Sequence, residues 1–125
     1  MTDSNIDIAK VKEFLKEREE KKQTKLLALH AQAENDAKKI ISMIIQKYNP
    51  VRIWLWGSVI EPELFREYSD IDIGIEGIPN AETFFKLIGD AMELTDFSLD
   101  IVQMEKIEPQ FAEIIKMKGK IVYER

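Results

Sequence analysis

Apolar residues recur at helical spacing through the first part of the chain: Ile8, Val11 and Leu15, then Leu26, Leu29, Ala33, Ile40 and Ile44. Intervals of three and four predict one amphipathic stripe. The charged run from Lys16 to Lys25 interrupts it. Residues 7–48 are therefore expected to form one long helix, or two with a weak joint near Gln23-Thr24. Asn49-Pro50 stops the pattern, because proline disfavours helix in the residue before it. Val51-Arg52-Ile53-Trp54-Leu55-Trp56 is β-branched and aromatic, and apolar on both faces apart from Arg52, which predicts a buried strand. Residues 59–69 hold a proline and several charges and predict a loop or one helical turn. Asp70 to Ile75 alternates strictly and predicts a second strand. Asn80 is placed to cap a helix over 81–94. A third strand is expected over 97–104, with Asp96 ending the helix before it. A last helix over 107–118 would end at Gly119 as its C′ residue, and 120–123 closes as a short strand. This order predicts an α+β fold, an α/β sandwich in which helices cover a small mixed sheet.

Composition narrows the chemistry. The 125 residues contain no Cys and one His, which excludes thiolate sites and makes His-based triads and metal sites improbable. Carboxylates, hydroxyls and backbone groups remain. The net charge of -5 argues against a broad nucleic-acid surface. There is neither an apolar run long enough to cross a membrane nor a secretory-signal pattern at the N-terminus, so a cytoplasmic protein is expected.

Asp70 and Asp72 stand two apart, so on a strand they share one face while Ile71, Ile73 and Ile75 turn to the core. Two desolvated carboxylates repel, and a bound cation removes that cost; hard Mg²⁺ takes one or two carboxylates with substrate phosphates. Asp100 is the one charge in the run Phe97–Val102. If its strand lies beside the Asp70/Asp72 strand, three carboxylates converge in a set able to hold two metals for phosphoryl or nucleotidyl transfer. Gly57-Ser58 ends the first strand, where backbone N–H groups and a hydroxyl can donate to phosphate oxygens. Eleven residues separate Ser58 from Asp70, and Asp100 follows Asp72 by 28.

The segment WLWGSVIEPELFREYSDIDIGIEG resembles the signature of the minimal nucleotidyltransferases of the polymerase-beta-like superfamily, and EIIKMKGKIVYER is similar to the usual end of these domains. The resemblance covers roughly residues 34–125. It implies a small mixed sheet with helices mainly on one face, and a division into an N-terminal helical extension (1–30) and a nucleotidyltransferase domain (31–125). It implies transfer of a nucleoside monophosphate, AMP from ATP or the equivalent from another triphosphate, to a hydroxyl. Asp70, Asp72 and Asp100 would then be the catalytic residues and would hold two Mg²⁺ ions, while Gly57 and Ser58 would bind the β- and γ-phosphates. Small proteins of this type are often antitoxins that pair with a helical HEPN-domain ribonuclease toxin, by adding AMP to it or by contact alone. The family often carries basic residues and a glycine after Gly-Ser; here those positions read Val59-Ile60-Glu61-Pro62, and the spacing to Asp70 is about one residue longer. A catalytically degenerate binding module is therefore the alternative, and transfer to a small molecule such as an aminoglycoside a second. Arg66 is a candidate replacement cation.

The bland readings stand beside these. Trp54 and Trp56 are expected in the core, with Trp56 also able to shape a nucleotide pocket. His30 is expected to be solvated or at a packing edge. Lys10–Lys25 is expected to be a solvated face or, given the apolar stripe beside it, a partner-binding arm or oligomer contact.

Overall fold

A computed structural model describes residues 7–125; residues 1–6 of the expected N-terminal extension lie outside the described residues. One helix, α1 (Ile8–Tyr48), is followed by β1 (Arg52–Trp56), β2 (Ile71–Glu76), α2 (Ala81–Met92), β3 (Leu99–Gln103), α3 (Pro109–Lys118) and β4 (Lys120–Glu124). The four strands form one mixed sheet in the order β3-β2-β1-β4, with β2 parallel to β3 and β1 antiparallel to both its neighbours.

α1 runs without a joint at Gln23-Thr24. The Thr24 hydroxyl donates to the Glu20 carbonyl one turn back at 2.9 Å, so its polar group is satisfied within the helix. The Asp7 side chain caps the start by accepting from the Lys10 N–H, and Asn49 ends the helix in the left-handed region at φ 48. Two corrections concern helix ends. α3 begins at Pro109, not Ile107: proline suits the first helical position and holds Glu108 extended. Gly119 follows the last helical residue, Lys118, as expected; its φ is -85, and glycine is needed because a Cβ there would come 2.5 Å from the Ile115 carbonyl oxygen. Asn80 caps α2 as expected, accepting from the Thr83 N–H. α2 ends at Met92, so Asp96 lies in the connection to β3.

The strand register decides which side chains share a face. Ile53 faces Ile75 across β1 and β2, and Ile73 faces Ile101 across β2 and β3. With Leu55, Ile71 and Leu99 they form the face that packs on α1 through Ala33, Ala37, Ile40 and Ile44, and on α2 through Leu87 and Ala91. The opposite face carries Trp54, which packs with Met104, Ala112 and Ile115 under α3. Two of the three helices thus cover one face, and α3 covers part of the other.

The 41 residues of α1 span about 60 Å at 1.5 Å per residue. Burial begins only near Leu26 and His30; residues 8–25 are exposed throughout. Ile8, Val11 and Leu15 continue the stripe that farther along buries Ala33, Ile40 and Ile44, yet they remain at least 46% exposed. α1 crosses the loop joining β1 to β2, with Lys25 paired to Glu67 at 3.2 Å and His30 bonded to Val59. Its first turns therefore leave the body at the sheet edge where β1 ends and β2 begins.

Candidate active site

That edge gathers the candidate residues. Asp72 lies between Trp56 on β1 and Asp100 on β3, directly opposite each in the register. Adjacent strands run roughly 4.8 Å apart. Asp70 precedes β2 instead of belonging to it; the ladder begins at Ile71, whose N–H donates to the Ser98 carbonyl. Asp70 and Asp100 are exposed while Asp72 is half-buried. Burial pushes the Asp72 carboxyl up to about 7, with the charge of Asp100 and then that of Asp70 adding to it.

Gly57 and Ser58 open a single 3-10 turn, Gly57–Val59, closed by the Ile60 N–H on the Gly57 carbonyl at 3.2 Å. Gly57 has φ +78, and a Cβ built on it would overlap Asp72 Oδ2. Both facts require glycine, and both place the turn against the central carboxylate. The structure thus brings Gly57, Asp70, Asp72 and Asp100 to one edge, with Ser58 next in the turn.

The donor set consists of carboxylate oxygens, which fits a hard divalent cation. Burial, and after it the charges of Asp100 and Asp70, disfavour the ionised Asp72, and a bound cation offsets both. Among the described residues no three His, Cys, Asp or Glu side chains form a ready-made metal cage. An ion held here would complete its shell with water and substrate phosphates, the usual habit of Mg²⁺. Beside the row, the Trp56 indole N–H is buried with no hydrogen-bond partner among the described residues, and its ring meets Phe111 edge-on at 5.5 Å.

Arg66 is committed elsewhere: its Nη1 donates to the Glu63 and Phe65 carbonyls of its own loop. Of the two expectations for His30 the solvated one is overturned: it is 8% exposed, and its Nε2 lies 2.7 Å from the Val59 carbonyl oxygen. Asp36, which no sequence pattern singles out, is also buried. It accepts from Gln32 and from the Thr95 hydroxyl, each at 2.7 Å, and so ties α1 to the approach of β3. A cavity of about 550 Å³ lies between α1 and the β1–β4 side of the sheet, lined by Ile41, Ile45, Leu55 and Val122 and reaching Val59 and Ile60; none of the three aspartates lines it.

Asp72 and Asp100 on adjacent strands beside a Gly-Ser turn, on a mixed four-stranded sheet, are the arrangement expected of a nucleotidyltransferase-type domain. The model of the family described as Polymerase beta, Nucleotidyltransferase, matches residues 38–125, and the chain belongs to that family. The fold is similar to a chain of a toxin–antitoxin MntA–HepT variant complex, at 20% identity and TM-score 0.60, covering 71% of this chain and 72% of that one. It is similar to a chain of a toxin–antitoxin structure with AMP-PNP, at 21% identity and TM-score 0.57, covering 74% and 73%. A third likeness is to a chain of the complex of the tri-AMPylated Shewanella oneidensis HEPN toxin with its MNT antitoxin, at 20% identity and TM-score 0.52, covering 77% and 73%. No curated protein sequence matches. Among the described residues, no helix is long and apolar enough to cross a membrane.

Proposed function

We propose that this protein is a Mg²⁺-dependent nucleotidyltransferase that moves AMP from ATP to a hydroxyl on a partner protein, acting in the cytoplasm as antitoxin to a HEPN-type toxin. The observation that carries the reading is the position of Asp72, held between Asp100 and Trp56 and against Gly57. Asp70, Asp72 and Asp100 are the residues that would hold the metal. Bound there, Mg²⁺ supplies positive charge to the reacting phosphate and to the pyrophosphate that leaves. Gly57 lets the backbone approach a phosphate, and the Ser58 hydroxyl can donate to it. Asp100, the more exposed of the facing pair, would orient the incoming hydroxyl. The likeness to complexes of a HEPN toxin with an MNT antitoxin supports the partner class. The exposure of Asp70 and Asp100 at an open edge supports a protein acceptor over a small molecule.

The test is the intact mass of a purified HEPN-type partner after incubation with this protein, ATP and Mg²⁺. One or more added AMP groups are expected; an unchanged mass with every nucleotide would reject transfer.

A contact-only reading has its own observation. Val59, Ile60 and Glu61 supply no cation after Gly-Ser, and Arg66 serves its own loop. If Asp72→Asn neutralises the partner as fully as the unaltered chain, binding alone is the function.

The projecting part of α1 is assigned to gripping the acceptor. From Lys10 to Lys25 it carries seven Lys/Arg and four Glu, a net +3 in a chain of net -5. Arg18 and Lys22 share the face of Ile8, Val11 and Leu15, whereas Glu13, Glu17 and Glu20 lie opposite. The inner face thus suits an acidic partner with an apolar patch. Val11→Glu/Leu15→Glu is expected to lower transfer to the partner at least tenfold, through the loss of two apolar anchors. The thermal midpoint and the affinity for Mg-ATP should not change, since both side chains are exposed. Equal transfer by the double variant would rule the arm out.

A further inference from the structure

We infer that His30 is a positioning residue for the Gly57–Val59 turn: its Nε2–H fixes the Val59 carbonyl and thereby sets where that turn meets the phosphates of a nucleotide. The inference rests on the nucleotidyltransferase reading for its consequence but on geometry for its substance. A carbonyl oxygen can only accept, so at 2.7 Å the Nε2 of His30 carries the proton. The ring also meets Phe65 edge-on at 5.1 Å and 81°.

The bond joins residues 29 apart in sequence and is buried, where an unpaired carbonyl is costly. What it fixes is short. Val59 is 1% exposed and stands two residues from Gly57, within a turn closed by the Ile60 N–H on the Gly57 carbonyl. Any shift of Val59 therefore reaches Gly57, which already touches Asp72. In the positions after Gly-Ser this chain has no cation to hold phosphates, so the placing of the turn's own N–H groups matters more. The chain's one histidine thus acts through the turn and touches no reacting atom.

The experiment compares the full chain with His30→Phe, which keeps a ring on Phe65 but removes the donor, and His30→Gln, whose amide can restore one. Affinity for Mg-AMP-PNP is read from tryptophan fluorescence, since Trp56 stands opposite Asp72. Amide exchange is read over residues 57–60. For His30→Phe a roughly tenfold weaker affinity is expected, the worth of one buried hydrogen bond. Exchange over 57–60 should be faster, with residues 33–44 of α1 unchanged, and His30→Gln should recover most of both. Unchanged affinity and exchange in His30→Phe would overturn the inference, as would equal losses in the Phe and Gln variants. If the unaltered chain does not bind Mg-AMP-PNP, the nucleotidyltransferase reading fails, and the exchange measurement alone decides whether His30 holds the turn. Should His30→Phe not fold, His30→Asn, whose amide is too short to reach Val59, takes its place.

Discussion

Asp72→Asn is expected to reduce nucleotidyl transfer on the order of 100- to 1000-fold while making the metal-free protein more stable above pH 7. The loss follows from removing the central carboxylate of the row. The gain follows from linkage. In the folded chain Asp72 keeps its proton up to about 7, whereas unfolded it releases it near 3.8. Between those values the folded state binds more protons, so stability falls as pH rises through the window and the cost is fully present above it. Without screening, such a difference corresponds to roughly 4 kcal/mol. Asp72 is half-exposed, and solvent reduces this to about 1–2 kcal/mol. Asparagine has no such cost. Urea unfolding of both proteins in EDTA at pH 5 and pH 8 measures it. The advantage of the variant should be larger at pH 8; an advantage independent of pH would sink the argument.

Gly57→Ala is the second large effect. At φ +78 any L residue is strained by about 1–2 kcal/mol. The added methyl also overlaps Asp72 Oδ2, so the carboxylate or the turn must move. A destabilisation of about 2–3 kcal/mol and a loss of transfer of at least tenfold are expected. The two causes separate in a double-mutant cycle. With Asp72→Ala in the background the overlap disappears and only the backbone strain remains, so Gly57→Ala should cost about 1–2 kcal/mol there. Equal costs in both backgrounds would mean that the two residues do not touch.

Much of this arrangement was legible in the residues because it depends on period and spacing. The alternation of Ile71, Ile73 and Ile75 fixes which face of β2 is buried, and so which face carries Asp72. The lone charge in an apolar run marked Asp100, and the register places it beside Asp72. What escaped depends on contacts between distant segments. Nothing near His30 in the sequence indicates that a carbonyl and a phenyl ring from the β1–β2 loop will meet its imidazole. Asp36 reads as one more helix acid until Thr95 arrives from the other side of the chain. The start of α3 is set locally by Pro109, which takes the first helical position and leaves Ile107 and Glu108 outside the helix.

The unbroken course of α1 has a consequence for helix–coil cooperativity. A charged segment the length of residues 8–25 would be marginal as a free peptide, because nucleating a helix is unfavourable and short helices rarely persist in water. Here no nucleation is needed: the buried turns from His30 to Ile44 already supply the nucleus, and the exposed turns only propagate it. Helicity in the arm should therefore decline from Lys25 toward Ile8, with amide protection fading along the same gradient. An acceptor seating on Val11 and Leu15 would find the helix largely formed, and the conformational entropy left to lose on binding would be confined to its outermost turns.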